Sequence, residues 1–314
     1  MKSLKICVRF LLLIFVLLLA QTPARSQQNY ASLSDYEIYS IGTPPVEKKA
    51  QAEKSIFTLT PRNSLNNDGL GGFFVSNTAD KLKPGQMIFN SRYKFHKLTS
   101  RKGTSFYSTE NGEVSTLEAS VNWVGDWAEW AFTIPVHDWS LSAPRTYGTY
   151  SSSDTGLGNM RIGWKATYMP DKSYYRFAYG AMATITTGNP DRMLPAGSKN
   201  TDELKLFGCV TTKETDRATA NLELGAIIDS ETEDDRFLYR GAMSYEATEH
   251  VSLIGELVGE IQGGDDKDTL DLVLGMRLGI NETWNLEFAY YKNLRTYREY
   301  GWDDQFQAGY SLRW

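Results

Sequence analysis

The sequence predicts an all-β fold: a transmembrane antiparallel up-and-down β-barrel of about twelve strands behind a loosely structured N-terminal leader. Three observations carry this. The chain closes on a perfect alternation, Phe306, Ala308, Tyr310, Leu312 and Trp314, with Gln305, Gln307, Gly309, Ser311 and Arg313 between. Period-2 alternation is the strand signature, and an apolar-out, polar-in strand of this length suits a membrane barrel. Long and short connections alternate along the chain, as they do in barrels with short periplasmic turns and longer outer loops. Lys2, Lys5 and Arg9 precede an apolar run from Phe10 to Ala20, the form of a secretory signal peptide.

Taking the elements in order, residues 1–26 read as that signal peptide, with cleavage after Ala24 or Ser26 favoured and Ala20 an alternative. The apolar core is too short for a membrane helix. Cys7 precedes the core, so it is not placed as a lipoprotein acceptor.

Residues 27–84 show little periodicity. They contain Pro44-Pro45, a lysine/glutamate patch from Glu47 to Lys54, turn chemistry at Asn66-Asn67-Asp68-Gly69 and an apolar island, Gly71-Gly72-Phe73-Phe74-Val75. This reads as a periplasmic or lumen-plugging leader; a mostly disordered tail is the other reading.

The barrel is expected over 85–314. Outward faces begin with Met87, Phe89, Tyr93 and Phe95, then Leu117 to Trp123, Trp130 to Val136, Met160 to Tyr168, Tyr175 to Ile185 and Leu204 to Val210, taking alternate residues. They continue with Ala220 to Ile228, Phe237 to Tyr245, Val251 to Ile261, Leu270 to Ile280, Trp284 to Tyr290, and the C-terminal run. Ten or fourteen strands are the alternative counts. Short turns are expected at Gly125-Asp126, 170–172, 213–216, Thr248-Glu249 and Asn281-Glu282, and longer connections near 98–112, 138–157, 188–201, 229–235, 263–267 and 294–302. Trp123, Trp127, Tyr168, Tyr174, Tyr175, Trp284 and Trp314 fall on the short-turn side, where an interfacial girdle belongs.

The formal net charge of -5 becomes more negative once the basic signal is removed, which argues against nucleic acid as a partner. A mean hydropathy of -0.40 suits a soluble protein, but only alternate residues of a barrel face lipid, so the average stays low. Cys209 is then the sole thiol, and no internal disulfide forms.

The inward set holds the candidate pore-lining residues Arg92, Lys94, Glu118, Glu129, Arg161, Lys165, Arg176, Glu223, Arg240, Glu256 and Arg277. Their signs nearly balance. A strongly ion-selective pore would show a bias, so the balance suggests ion pairs crossing a narrow or filled lumen. Phe306, Tyr310, Leu312 and Trp314 form a candidate assembly signal for the barrel-assembly machinery.

Other constellations are weaker. His137, Asp138 and Ser140 are read as neighbours in a loop, with no nucleophile elbow or oxyanion signature. The glycines at 156, 158 and 163 lack the strand and helix of a phosphate loop and are read as the start of a strand. The acidic runs 229–235 and 263–268 lack calcium-loop spacing. No catalytic residue, metal or cofactor is expected.

Gly156-Leu-Gly-Asn-Met-Arg-Ile-Gly-Trp-Lys-Ala-Thr-Tyr168, the hairpin from Val121 to Pro135, Thr187-Gly188-Asn189-Pro190, and Asn77 to Asp80 with Pro84-Gly85 together resemble the outer-membrane family named for the MetA pathway of phenol degradation. The likeness spans roughly 75–190, and Asn159 stands where that family usually has Asp. The resemblance implies a barrel that assists passage of small, often aromatic or hydrophobic, compounds, and it transfers no catalytic residue. The expected function is therefore a narrow channel in the outer membrane of a Gram-negative bacterium, reached by the general secretory route. The alternatives are a structural or assembly barrel with an occluded lumen and, more remotely, an outer-membrane enzyme. Outer-membrane lipid and lipopolysaccharide are the expected surroundings.

Overall fold

A computed structural model describes residues 64–80, 82–100, 111–145, 148–168, 174–187, 202–213, 217–230, 235–262, 268–295 and 300–314. The chain divides into two units, Met1–Thr58 and Leu59–Trp314, and every described residue belongs to the second. The signal peptide, the leader up to residue 63 and the tips of most long connections lie outside the described residues.

Two short strands, β1 (Ser64–Leu65) and β2 (Gly71–Gly72), pair with each other. The rest is one closed sheet built from β3 (Met87–Ser100), β4 (Asn111–Val124), β5 (Ala128–Arg145), β6 (Gly148–Leu157), β7 (Met160–Tyr168), β8 (Tyr175–Ile185), β9 (Glu203–Lys213), β10 (Ala218–Asp229), β11 (Arg236–Glu246), β12 (Val251–Gln262), β13 (Thr269–Gly279), β14 (Trp284–Arg295) and β15 (Tyr300–Arg313). Sequence neighbours pair antiparallel except β6 and β7, which both pair with β5, and β15 closes the ring on β3 through Phe306↔Phe95, Tyr310↔Ser91 and Leu312↔Phe89. Since β6 and β7 both lie along β5, they form one interrupted strand, and the barrel has twelve, the number read from the sequence.

The alternation sets the faces. Tyr93, Leu117, Phe132, Leu222, Leu257, Leu274 and Phe306 are exposed on the outside, whereas Arg92, Asn122, Glu223, Glu256 and Arg277 are buried within. The outer wall is an apolar belt, and all seven girdle aromatics are exposed at the short-turn rim. On this wall Leu222→Arg is expected to cost about 2–4 kcal/mol of barrel stability, and Trp123→Arg at the rim about 1 kcal/mol or less. Urea unfolding in lipid vesicles measures both; equal costs would mean that the belt is not at bilayer depth.

One expectation is corrected here. Residues 138–157 are a ladder, not a long connection: β5 continues to Arg145 and β6 starts at Gly148, pairing Asp138↔Thr155 and Ser142↔Ser151. Along this hairpin Ser, Thr and Gly replace a regular apolar alternation, so it reads as a loop while still fitting a strand. The glycine-rich stretch does start a strand, β7 at Met160, and it also ends β6 at Leu157. Between β6 and β7, Gly158 has no side chain because a Cβ there would lie 2.4 Å from Nε2 of His137. The break is sealed by Gly158 N–H donating to the Pro135 carbonyl at 2.9 Å and Met160 N–H to the Thr187 hydroxyl at 3.1 Å.

Candidate functional site

The interior of the barrel is where charged side chains collect, and residues 64–80 run through it. The segment begins as a turn. Asn66 Oδ1 accepts from the N–H of Asp68 at 3.0 Å and of Leu70 at 3.1 Å, while Gly69 takes the left-handed conformation at φ 80°. The chain then doubles back through β2. At Gly72 a Cβ would lie 2.2 Å from the Ser76 carbonyl oxygen, so only glycine allows that approach.

The wall treats this segment as a bound peptide. Glu256 accepts from the N–H groups of Phe74 (2.7 Å), Val75 (3.1 Å) and Ser76 (2.8 Å) and from the Ser76 hydroxyl (2.6 Å). Successive N–H groups converging on one carboxylate form an anion nest. Glu223 accepts from Asn77 N–H at 2.7 Å and Asn77 Nδ2 at 3.0 Å. Glu129 accepts from Gly71 N–H at 3.0 Å.

Basic residues take the carbonyls. Lys165 donates to Gly71 and Thr78, both at 2.7 Å. Arg277 donates to Gly72 (2.8 Å), Leu65 (3.0 Å) and Phe73 (2.6 Å), Arg240 to Val75 (2.9 Å), and Arg92 to Leu65 and Asn66. Buried backbone groups need such partners, and here charged side chains supply them. Two acids of the segment complete the set: Asp68 pairs with Lys205 at 2.8 Å and Asp80 with Arg176. Burial alone would raise the Asp68 carboxyl, but Lys205, Arg240 and Arg161 outweigh it and hold it below the ordinary carboxylate range. As pH falls, the ion pair with Lys205 therefore outlasts the ordinary carboxylate range and weakens as Asp68 takes up its proton.

Apolar side chains of the segment dock into four patches on the wall. Phe73 and Phe74 sit among Ala242, Ile254, Val258, Val273, Ala289 and Tyr291. Leu70 packs on Ala131, Met182 and Phe207, Ala79 on Ala178 and Cys209, and Leu65 with Leu82 on Ile88 and Val124.

All eleven charges singled out from the sequence face inward, and eight of them contact residues 64–80 directly: Arg92, Glu129, Lys165, Arg176, Glu223, Arg240, Glu256 and Arg277. The other three form a group toward the long-loop end, where Glu118 pairs with Lys94 at 2.7 Å and Arg161 at 2.8 Å. The expectation of ion pairs crossing the lumen is corrected. Lys165–Glu129, Arg240–Glu223 and Arg277–Glu287 join residues opposite each other on adjacent strands, at 2.6, 3.3 and 3.5 Å. Pairs run along the wall; the segment spans the lumen. Lys205 and Glu287, outside the chosen eleven, prove as central, since Lys205 bridges Asp68 and Glu223 while Glu287 pairs with Arg92 and Arg277.

His137, Asp138 and Ser140 form no triad. They lie in β5, where His137 faces inward, its Nδ1 2.8 Å from the Thr116 hydroxyl, while Asp138 and Ser140 are exposed on the opposite face. Asp138 accepts instead from the Thr155 hydroxyl at 2.7 Å. Among the described residues no group of three or more His, Cys, Asp or Glu is placed to hold a metal ion. Of the assembly-signal residues, Phe306 and Trp314 are exposed on the outer face, and Tyr310 stacks on Trp284 with centroids 6.1 Å apart.

The sequence matches no family model and no curated protein. The fold does have solved relatives. An outer-membrane channel from Pseudomonas putida superposes with a TM-score of 0.60 at 14% identity, over 75% of this chain and 98% of that one. The translocator domain of the autotransporter NalP from Neisseria meningitidis gives 0.48 at 11% identity, over 73% and 88%. The CymD monoaromatic hydrocarbon channel gives 0.43 at 8% identity, over 74% and 88%. At such identities the likeness is one of fold, and the fold is that of an outer-membrane β-barrel.

Proposed function

We propose that the protein is a narrow channel for passive passage of small compounds across the outer membrane, held closed by residues 64–80. The observation that supports this reading is the chemistry of the wall. Buried ion pairs are costly, and apolar replacements of similar volume are often at least as stable. A barrel filled for good could meet the segment's backbone with neutral donors and acceptors, and has no need of charge at Arg92, Lys165, Glu223, Glu256, Arg277 and Glu287. A lumen that holds water does, because a hydrated wall must carry polar groups.

The second reading is a structural barrel whose lumen never empties. It draws on the number of wall groups, from β3 to β13, that bind the backbone of residues 64–80. Single-channel conductance of the refolded chain in planar bilayers, with and without residues 64–80, decides between them. Steady current through the shortened chain supports the channel. Silence from both, with each barrel shown folded by heat-modifiable gel mobility, favours the structural reading.

The resemblance of residues 75–190 to the phenol-pathway family supports an aromatic or hydrophobic solute. Passage of the barrel to the membrane through its assembly machinery, with Phe306, Tyr310, Leu312 and Trp314 as the recognised strand, belongs to the same proposal.

A further inference from the structure

The patch that receives Phe73 and Phe74 differs from the rest of the inner wall. Phe74 is fully buried among Ala242, Ile254, Val258, Val273 and Ala289, in the apolar patch that takes the segment's two aromatic rings. The wall is notched for its ring: Gly275 faces inward from β13, and a Cβ there would lie 2.4 Å from the ring. The Arg277 guanidinium stands 5.0 Å from the ring centroid, within cation–π range. On the other side Glu256 takes the N–H groups of residues 74–76, while Arg277 donates to the Phe73 carbonyl at 2.6 Å. A flat apolar niche is thus bracketed by one carboxylate and one guanidinium.

We propose that this niche is the solute-binding subsite of the channel, that its solute is an aromatic amino acid, and that Phe73-Phe74 occupies the place of that solute in the closed state. The proposal rests on the channel reading and names its substrate class. An aromatic amino acid satisfies the ring notch, the carboxylate and the guanidinium of this niche when the segment leaves. Its ring fills the Gly275 notch beneath Arg277, its ammonium takes the place of the N–H donors at Glu256, and its carboxylate takes the place of the Phe73 carbonyl at Arg277. A plain aromatic hydrocarbon or phenol fills the notch but leaves Glu256 without its donors. A site built around polar partners rejects analogues that lack them. Leucine carries the charges but gives the guanidinium no π face.

The solute and the segment compete for one place, so solute binds only the state in which the segment is displaced. Its population then rises by 1 + [L]/Kd, about tenfold at ten times Kd. Cys209 reports that state, because Ala79 of the segment covers it. The experiment is the alkylation rate of Cys209 by a small water-soluble maleimide in the reconstituted chain starting at residue 27. It is run with L-phenylalanine, L-leucine or phenol at equal concentration, and Glu256→Gln without additive shows that the thiol responds to loosening of the segment.

Phenylalanine is expected to speed labelling about tenfold near saturation, with leucine and phenol within about twofold of buffer, and Arg277→Gln is expected to abolish the difference between phenylalanine and leucine. If phenylalanine is no better than leucine, the niche assignment falls. If phenol matches phenylalanine, the site reads only rings and the zwitterionic solute is overturned. Conductance of the chain without residues 64–80 judges the channel reading separately: current there with no phenylalanine effect removes the subsite alone, and silence there removes the channel.

Discussion

Deleting residues 64–80 is expected to turn a barrel that passes current rarely into one that passes it steadily. The full chain should be almost always closed. Glu256, Glu223, Glu129, Arg277, Arg240 and Lys165 all bind the segment's backbone or its Asn77 side chain. Hydrogen bonds to charged groups contribute about 1.5–3 kcal/mol each before the cost of drying them. A net anchoring of only about 4 kcal/mol already leaves one open barrel in roughly a thousand. Without the segment those charges regain water, which they favour over a dry interior. Twelve strands enclose more room than the eight that side chains can fill, and less than the sixteen of an open porin. The current should therefore be small and continuous. Selectivity should be weak, within about threefold of equal permeability to anions and cations, because among the described residues no ring of one sign lines the wall. Glu223 lies between Lys205 and Arg240, and Glu287 between Arg92 and Arg277. A folded, shortened barrel that stays silent would contradict both the plug and the pore.

The strands were legible because lipid outside and polar groups inside impose opposite demands on alternate residues. Phe306 to Trp314 and Leu270 to Ile280 show this with hardly a break, and both strands lie where the alternation puts them. In the hairpin from Asp138 to Leu157 the apolar alternation lapses, so a ladder rich in Ser, Thr and Gly looked like a loop. The interior was half legible. Arg92, Glu223, Glu256 and Arg277 could be placed inward by period alone. Their partners could not be named, because most of those partners are backbone N–H and C=O groups of residues 65–78, which carry no side-chain identity. The residues that shape this segment are small or turn-forming: Asn66, Gly69, Gly71 and Gly72. Such residues suit an extended tail as well as a segment threaded through a barrel. The one distinguishing mark was Phe73-Phe74-Val75, an apolar island in a polar stretch, which needs a patch to bury it; the small residues Ala242, Ala289 and Gly275 that make the patch lie on three separate strands.

Glu256→Ala should release the segment more than any other single change in the wall. Four donors converge on this carboxylate, and alanine leaves the N–H groups of Phe74, Val75 and Ser76 and the Ser76 hydroxyl without their acceptor. Removal of a buried charge also relieves its own desolvation cost, so the four bonds do not simply add. A net loss of about 3 kcal/mol is the central expectation, equal to roughly 100-fold more of the displaced state. Cys209 alkylation should rise by that factor while it remains limited by opening. Glu256→Gln keeps one acceptor oxygen but turns an NH2 group toward the other N–H donors, and should fall between, near tenfold. The control is the next residue along β12. Leu257 is exposed on the lipid face, so Leu257→Ala changes the same strand without touching the segment and should leave the labelling rate unchanged. Heat-modifiable mobility shows whether each variant is still a barrel. If folded Glu256→Ala labels no faster than Leu257→Ala, the nest at residues 74–76 does not hold the segment, and the closed state must rest on the basic residues that grip its carbonyls.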